Sequence, residues 1–392
     1  MNEDRISPKI YFPCPMLNRD MCEGECYDVQ MVRAKFIKKS RLGFKLDRKV
    51  AYNMCEPCEY NQLHSPEVSK RHKRYDKVLS KSILGGVIGL CVGDALGLPV
   101  QFERRERFLN APVTGMTGYG TFNLPPGSWS DDTSMTLCLL DSLSNGLDYN
   151  DIMKKFASWL VNGEYTPYGK AYDIGGTTRA SIFKYVNGIE LMKCGGTNEN
   201  DNGNGSLMRT LPIAFYLHSK YSSRFSDNDE AFDIIHNVSA LTHAHERSMI
   251  ACGIYCTLAE LLINENHLKD SIKLGLSTSI RYYLSKNEFS NECRYYNRLF
   301  DDSFFDLPES EIKSSGYVVD TLEAAIWCLM NSDSYEKCVL RAVNLGGDTD
   351  TIAAVAGGLA GTYYGFDAIP KKWVDQIPQL DYIKELCKNC FS

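Results

Sequence analysis

Asn150-Asp151-Ile152-Met153-Lys154-Lys155-Phe156-Ala157-Ser158-Trp159-Leu160-Val161-Asn162-Gly163 points to the fold class. Ile152, Met153, Phe156, Trp159 and Leu160 fall at i, i+1, i+4, i+7 and i+8, which is one face of an α-helix. Asn150 or Asp151 is a candidate N-cap, and Gly163 follows the last periodic residue as a stop. Residues 249–263, 321–330 and 353–360 carry further helical patterns. Strictly alternating runs are scarce, and no series of parallel strands is visible. The expected class is all-α, a compact multi-helix domain.

The 392-residue chain is 44% hydrophobic and 23% charged, which suits a large core and argues against global disorder. Its net charge of -6 argues against nucleic acid as the main partner, because a phosphate-binding footprint needs a basic excess. The first nine residues are polar and lack the apolar region of a signal peptide. The longest uncharged apolar stretches, near residues 83–93 and 351–366, fall short of the roughly 18 residues a membrane span needs. These features lead to the expectation of a cytoplasmic protein with no membrane partner. Fifteen cysteines then read as reduced thiols or metal ligands.

The chain changes character near residue 80. Residues 1–80 are cysteine-rich, dense in charge and weakly periodic, and 81–392 form the helical domain. In the first part, Cys22 and Cys26 make a C-x3-C pair, and Cys55 and Cys58 a C-x2-C pair. Four thiolates at such spacings suit a structural Zn²⁺. Ordinary reduced cysteines and an iron–sulfur cluster remain open. The basic run at residues 70–74 reads as a linker or solvated helix face, with a partner or phosphate contact as the alternative. Cys252 with Cys256, and Cys387 with Cys390, read as packing. The Gly- and Pro-rich stretch 105–130 and the Asn-rich stretch 195–205 are loops of functional length. Residues 222–230 and 285–315 read as surface insertions without chemistry.

Two acidic clusters stand out. Gly127-Ser128-Trp129 leads into Ser130-Asp131-Asp132-Thr133, and Gly346-Gly347 leads into Asp348-Thr349-Asp350-Thr351, each followed by a helical pattern. Asp, Ser and Thr cap free helix N–H groups, and carboxylates suit the positive end of the helix dipole. Capping needs one such residue, however, and each cluster has two carboxylates and two hydroxyls. Close carboxylates repel unless something neutralises them. Hard oxygen donors suit Mg²⁺, Ca²⁺ or Mn²⁺. Asp348 and Asp350 do not share a helix face, so they converge only from a turn, which the paired glycines permit. Spacing leaves caps and metal ligands both open.

Further segments narrow the reading. They are Gly93-Asp94-Ala95-Leu96-Gly97-Leu98-Pro99, Trp129-Ser130-Asp131-Asp132-Thr133-Ser134-Met135 and Tyr172-Asp173-Ile174-Gly175-Gly176-Thr177-Thr178. Gly203-Asn204-Gly205-Ser206-Leu207-Met208-Arg209, Ser239-Ala240-Leu241-Thr242-His243, Gly316-Tyr317-Val318 and Asn344-Leu345-Gly346-Gly347-Asp348-Thr349-Asp350-Thr351 follow. In this order, over roughly residues 83–378, the chain resembles the ADP-ribosylglycohydrolase family, which includes the dinitrogenase reductase-activating glycohydrolase. The resemblance implies an all-α fold with two Mg²⁺ or Mn²⁺ ions in a cleft. It implies Ser130, Asp131 and Asp132 as one ligand group and Asp348, Asp350 and Thr351 as the other. It places Asp173 near the ribose and leaving group. It implies that Asn204, Gly205, Ser206 and Met208 line the ADP-ribose pocket, with His243 and Tyr317 at the phosphate and adenine parts; for His243 a hydrogen-bonded helix-start histidine is the competing reading. Arg209 reads as structural, paired with a buried carboxylate. The implied partner is an ADP-ribosylated protein or small ADP-ribosyl conjugate, most plausibly ADP-ribosyl-arginine.

One residue departs from the family pattern. Many relatives have a glutamate where this chain has Gln101, and glutamine cannot accept a proton at neutral pH. The expected catalytic base moves to Asp131, Asp132 or Asp173, with Glu103 two positions on as a conceivable substitute. Gln101 also leaves open a sensor that binds ADP-ribose with little turnover.

Overall fold

The computed structural model describes residues 11–14, 16–17, 19–22, 26, 28–30, 32, 48–55, 66–221, 225–226, 228–263 and 267–390, with only the backbone at several positions up to residue 77. The chain divides into two compact units, Met1–Lys77 and Val78–Ser392.

The first unit is not purely helical. Strands Tyr11–Cys14 and Arg19–Cys22 form an antiparallel hairpin in which Tyr11 pairs with Cys22 and Cys14 with Arg19. A helix spans Arg48–Cys55. Cys26, Val29, Val32, Ala51 and Cys55 form one small buried cluster, with Cys14, Met16 and Leu17 packed on it. Two of the four cysteines expected to bind zinc, Cys26 and Cys55, thus lie in this cluster, and the Gln30 amide donates to Cys26 Sγ at 3.1 Å. The Cys22 side chain, the whole of Cys58 and the side chains of residues 70–74 lie outside the described residues.

The second unit is all-α among its described residues, with two isolated backbone bridges, Gly196 to His243 and Gly203 to Tyr317. The helix read first spans Tyr149–Asn162 and ends on Gly163 at φ 74°. Its N-cap is Asp148, not Asn150 or Asp151; the Asp148 carboxylate accepts from the N–H groups of both of those residues. Helix Thr349–Tyr364 is buried from Thr349 to Thr362 and packs against Tyr335–Asn344, Val318–Met330 and Glu246–Ile263.

The closest packing joins helix Thr349–Tyr364 to the end of helix Pro66–Gly97. Gly85, Gly89, Gly93 and Gly97 repeat every four residues, so they share one helix face. A Cβ at Gly85 would stand 2.3 Å from the Gly361 carbonyl oxygen, and one at Gly89 2.5 Å from that of Gly357. A Cβ at Gly93 would stand 2.1 Å from the Ala353 carbonyl oxygen, and one at Gly97 2.4 Å from Asp350 Cα. Partner numbers fall as the glycine numbers rise, so the helices run antiparallel with their backbones in contact. Tyr335 Oη donates to Gly89 O at 2.6 Å and Thr349 Oγ1 to Gly97 O at 2.8 Å. This crossing brings the end of one helix, with Asp94, to the start of the other, with Asp350. The segment Val78–Val100 is long and apolar enough to cross a membrane, contrary to the shorter apolar stretch read from the sequence, but almost all of it is buried in the protein as core.

Residues 285–315 are also not a bare surface insertion. Short helical turns bury Phe289, Cys293, Tyr296, Leu299, Phe304 and Ile312, and Glu292 pairs with the buried Arg247 at 2.7 Å. Phe225 and Ser226, within the other expected insertion, are buried as well. Cys252, Cys256, Cys387 and Cys390 are buried.

Replacing Gly93 by alanine drives a methyl into the Ala353 carbonyl. The expected loss is about 1–3 kcal/mol of unfolding free energy, measured by urea denaturation of the full chain. An unchanged stability would show that the helices can part without cost.

Candidate active site

Ser130 caps helix Asp131–Ser144, its Oγ accepting from the Asp132 N–H at 3.3 Å. The cap is itself gripped by Asp94, whose carboxylate accepts from the N–H groups of Ser130 (3.0 and 3.1 Å) and Thr133 (3.1 Å) and from Thr133 Oγ1 at 2.7 Å. The capping reading therefore holds for the first cluster. It fails for the second: Asp348 is the N-cap residue of helix Thr349–Tyr364, yet its side chain caps nothing. Gly346 and Gly347, at φ 73° and 74°, turn the chain so that the Asp348 carboxylate accepts from Gln101 Nε2 at 3.1 Å and Asn204 Nδ2 at 2.6 Å.

Behind this front lies a denser acidic group. Asp94, Asp132 and Asp350 are fully buried, and each offers a carboxylate oxygen within 4.8 Å of the others. Asp132 Oδ1 and both oxygens of Asp350 are buried with no hydrogen-bond partner among the described residues. Burial and the adjacent carboxylates push Asp131, Asp132 and Asp350 well above the usual carboxylate range, and burial pushes Asp94 up to about 6. Orphaned carboxylate oxygens in a charge cluster cost free energy unless a cation meets them. The oxygen-only donor set fits a hard divalent ion. Asp94 was quoted in the sequence reading but not assigned to the site. Its bonding partners lie 36 and 39 residues away, so no local pattern marks its role.

A cavity of about 520 Å³ opens over this centre. Asp131, Asp173, Asp348 and Thr351 line its acidic end with Gln101 and Phe102. Gly175, Gly176, Thr177 and Thr178, at the start of helix Gly176–Val186, line one wall. Gly203, Asn204, Gly205, Met208 and His243 line another. Of the residues expected at the site, Ser130, Asp132 and Asp350 lie behind the lining. Ser206 is buried beside Ser239, its Oγ accepting at 2.9 Å. The Tyr317 side chain does not line the cavity; its hydroxyl accepts from Arg247 at 3.0 Å, and Arg247 is held by Glu199 and Glu292.

His243 is buried, with Nδ1 2.8 Å from Thr242 Oγ1, and burial lowers its pKa to about 3, so it stays neutral. A Cβ at Gly205 would stand 2.8 Å from His243 Cε1, which explains the glycine. Arg209 pairs with no carboxylate: it donates to Gly205 O and Thr242 Oγ1 and lies 4.6 Å over the Phe156 ring. Glu103 does not line the cavity either; it pairs with Arg107 at 2.7 Å on the surface.

The Gln101 amide nitrogen donates to Asp173 Oδ2 at 2.6 Å as well as to Asp348, linking residues 72 and 247 positions away. A neutral donor here lets two carboxylates approach each other without a third charge.

The helical unit holds a cleft floored by carboxylates from two helix starts, an oxygen-donor centre suited to a hard cation. The model of the ADP-ribosylglycohydrolase family matches residues 75–392, and the chain belongs to that family. It is 34% identical over 310 residues to the ADP-ribosylarginine hydrolase Tri1 of Serratia proteamaculans, covering 78% of each chain. It is 32% identical over 302 residues to the ADP-ribosyl-[dinitrogen reductase] glycohydrolase of Rhodospirillum rubrum, covering 75% of this chain and 89% of that protein. A solved structure described as an ADP-ribosylglycohydrolase-related protein complex superposes with a TM-score of 0.65 at 28% identity, covering 80% of this chain and 98% of that one. The chain is thus a glycohydrolase of ADP-ribosyl groups.

The raised carboxyl pKa values carry a sign. The folded state holds these protons more tightly than the unfolded chain, so stability falls as pH rises from about 4 through the folded values. Asp350→Asn removes one buried carboxyl whose ionisation the fold opposes, and in EDTA at neutral pH it is expected to stabilise the protein by about 1–3 kcal/mol. Mg²⁺ or Mn²⁺ should raise the Tm of the wild type but not of this variant. A variant less stable than wild type in EDTA would contradict the repulsive cluster.

Proposed function

We propose that this chain hydrolyses the N-glycosidic bond of ADP-ribosylated arginine, with a pair of Mg²⁺ or Mn²⁺ ions in its acidic centre. The observation that carries this reading is the stack of two carboxylate layers. Asp131, Asp173 and Asp348 face the cavity, and Asp94, Asp132 and Asp350 stand behind with three orphaned oxygens. The arginine linkage is the one acted on by the Serratia relative, as its name states. The substrate is correspondingly an ADP-ribosylated protein or small conjugate.

Asp132 and Asp350 are the candidate inner ligands, with Asp131, Asp348, Ser130 and Thr351 as further oxygen donors. Bound divalent cations would lower the pKa of a water molecule and hold ribose hydroxyls. Asp94 positions the cluster by fixing the helix start at Ser130 and Thr133. Of the three aspartates open as base, Asp132 is sealed behind the lining and accepts a bond from Ser130 Oγ at 3.2 Å. Asp131 and Asp173 line the cavity and are left as the candidates. Burial raises both pKa values, the neighbouring carboxylates add to the rise, and the Gln101 hydrogen bond opposes it at Asp173. Charge on the sugar grows in the transition state of glycoside cleavage, and flanking carboxylates stabilise it. Gly175, at the N-cap of helix Gly176–Val186, makes no side-chain cap, so the N–H groups of that helix start are available to a diphosphate.

Purified protein with Mg²⁺ or Mn²⁺ is expected to release ADP-ribose from an ADP-ribosylated arginine peptide, followed by chromatography. Either Asp131→Asn or Asp173→Asn should lower kcat on the order of 100-fold. Gln101 favours one rival reading, a sensor that binds ADP-ribose with little turnover. Tight binding without release under either metal would replace the hydrolase reading with it.

A further inference from the structure

Phe102 sits at the acidic end of the cavity in an unusual state. It lines the cavity, is 65% exposed and has a φ of 67°. Exposed aromatics are ordinary, but a bulky residue in the left-handed region is strained. Such strain persists where the surroundings over-determine it, and it clusters at functional positions. Here the surroundings do so. The Phe102 N–H donates to Gly347 O at 2.7 Å, and the Gly347 N–H donates back to Glu103 O at 2.8 Å. Thr121 Oγ1 holds the carbonyl of Gln101 at 2.8 Å. A Cβ at Gly346 would stand 2.7 Å from Arg105 N, so the facing turn is pressed onto this segment. The ring is therefore held at the rim by its backbone while most of its surface stays in solvent.

The neighbours give this rim its chemistry. Gln101, adjacent in sequence, is bonded to both Asp173 and Asp348. Asp173 is itself a left-handed non-glycine residue, at φ 50°. Gln101 thus ties the segment of Phe102 to Asp173, and both residues line the cavity. Gly175–Thr178 and Gly203–Gly205 line the same cavity, and Asn204 among them bonds Asp348 at 2.6 Å. Phe102 is the exposed aromatic residue of that lining, next in sequence to the Gln101 that holds Asp173 and Asp348.

We propose that Phe102 is a specificity residue for the leaving group: its ring is the platform on which the guanidinium of the modified arginine lies. This rests on the arginine-linked substrate proposed above. A guanidinium is planar, weakly hydrated and stacks on aromatic faces, and a nearby carboxylate adds charge complementarity. A serine or acetyl leaving group has no flat cation and gains nothing from the ring.

The test compares Phe102→Ala, Phe102→Leu and Phe102→Trp in the full chain with Mg²⁺. Substrates are an ADP-ribosylated arginine peptide and an ADP-ribosylated serine peptide, and free ADP-ribose binding is measured by calorimetry. Phe102→Ala should lower kcat/KM on the arginine peptide on the order of ten-fold and leave ADP-ribose affinity and any turnover of the serine peptide unchanged. Phe102→Trp should restore the arginine peptide, and Phe102→Leu should not. Equal activity of the alanine variant, restoration by leucine, or a parallel fall in ADP-ribose affinity would overturn the proposal. Wild type that turns over the arginine peptide alongside an indifferent Phe102→Ala refutes this inference alone. Wild type that releases nothing from the arginine peptide refutes the arginine reading and this inference with it.

Discussion

The site depends on the contact of two helix backbones. Glycines at 85, 89, 93 and 97 let the helix ending at Gly97 lie directly on the helix beginning at Thr349. The side-chain layer that normally separates helices by 8–10 Å is absent along this line. Without it, Asp94 and Asp350 come close enough to share one group of carboxylate oxygens with Asp132. The glycine face weakens the individual helix, since glycine is a poor helix former, and burial of residues 85–97 and 349–362 offsets that loss. Gly97, the last of the series, packs on Asp350 Cα itself, so the packing device and the chemical centre meet at one residue.

The same contact concentrates negative charge. Six aspartates stand in two layers, and buried oxygens on Asp132 and Asp350 lack partners. A stability-driven core would not retain them, because buried unpaired carboxylates destabilise a fold. Hydrogen bonds meet part of that charge: Gln101 holds Asp173 and Asp348, Asn204 also holds Asp348, and Ser130 and Thr133 hold Asp94. Asp132 Oδ1 and the two Asp350 oxygens keep their need for a cation. The unmet charge lies beside the strained backbone of Phe102, as expected where structure serves chemistry rather than stability.

Much of this was legible in the sequence for identifiable reasons. Helix periodicity needs only local spacing, and Tyr149–Asn162 shows it plainly, although three polar residues in a row hid which one caps it. The paired clusters at Ser130 and Asp348 announce themselves by residue type, and their ordered companion motifs made the family readable. Long-range roles were not legible. Asp94 grips a helix start 36 residues away, and Gln101 reads as a missing base until its amide is seen between two carboxylates. Tyr317 was expected at the substrate, but Arg247 draws its hydroxyl away, through an acidic partner in the segment 285–315 that lacks any helical period. Phe102 gave no signal, because left-handed backbone at a bulky residue is imposed by the facing turn.

Anomalous diffraction from crystals soaked in Mn²⁺ tests the central claim most directly. The account predicts Mn²⁺ bonded to carboxylate oxygens of Asp132 and Asp350, at the cavity floor beside Asp131 and Asp348. A soaked structure in which those oxygens remain unliganded, or in which Mn²⁺ binds only elsewhere on the chain, would contradict it.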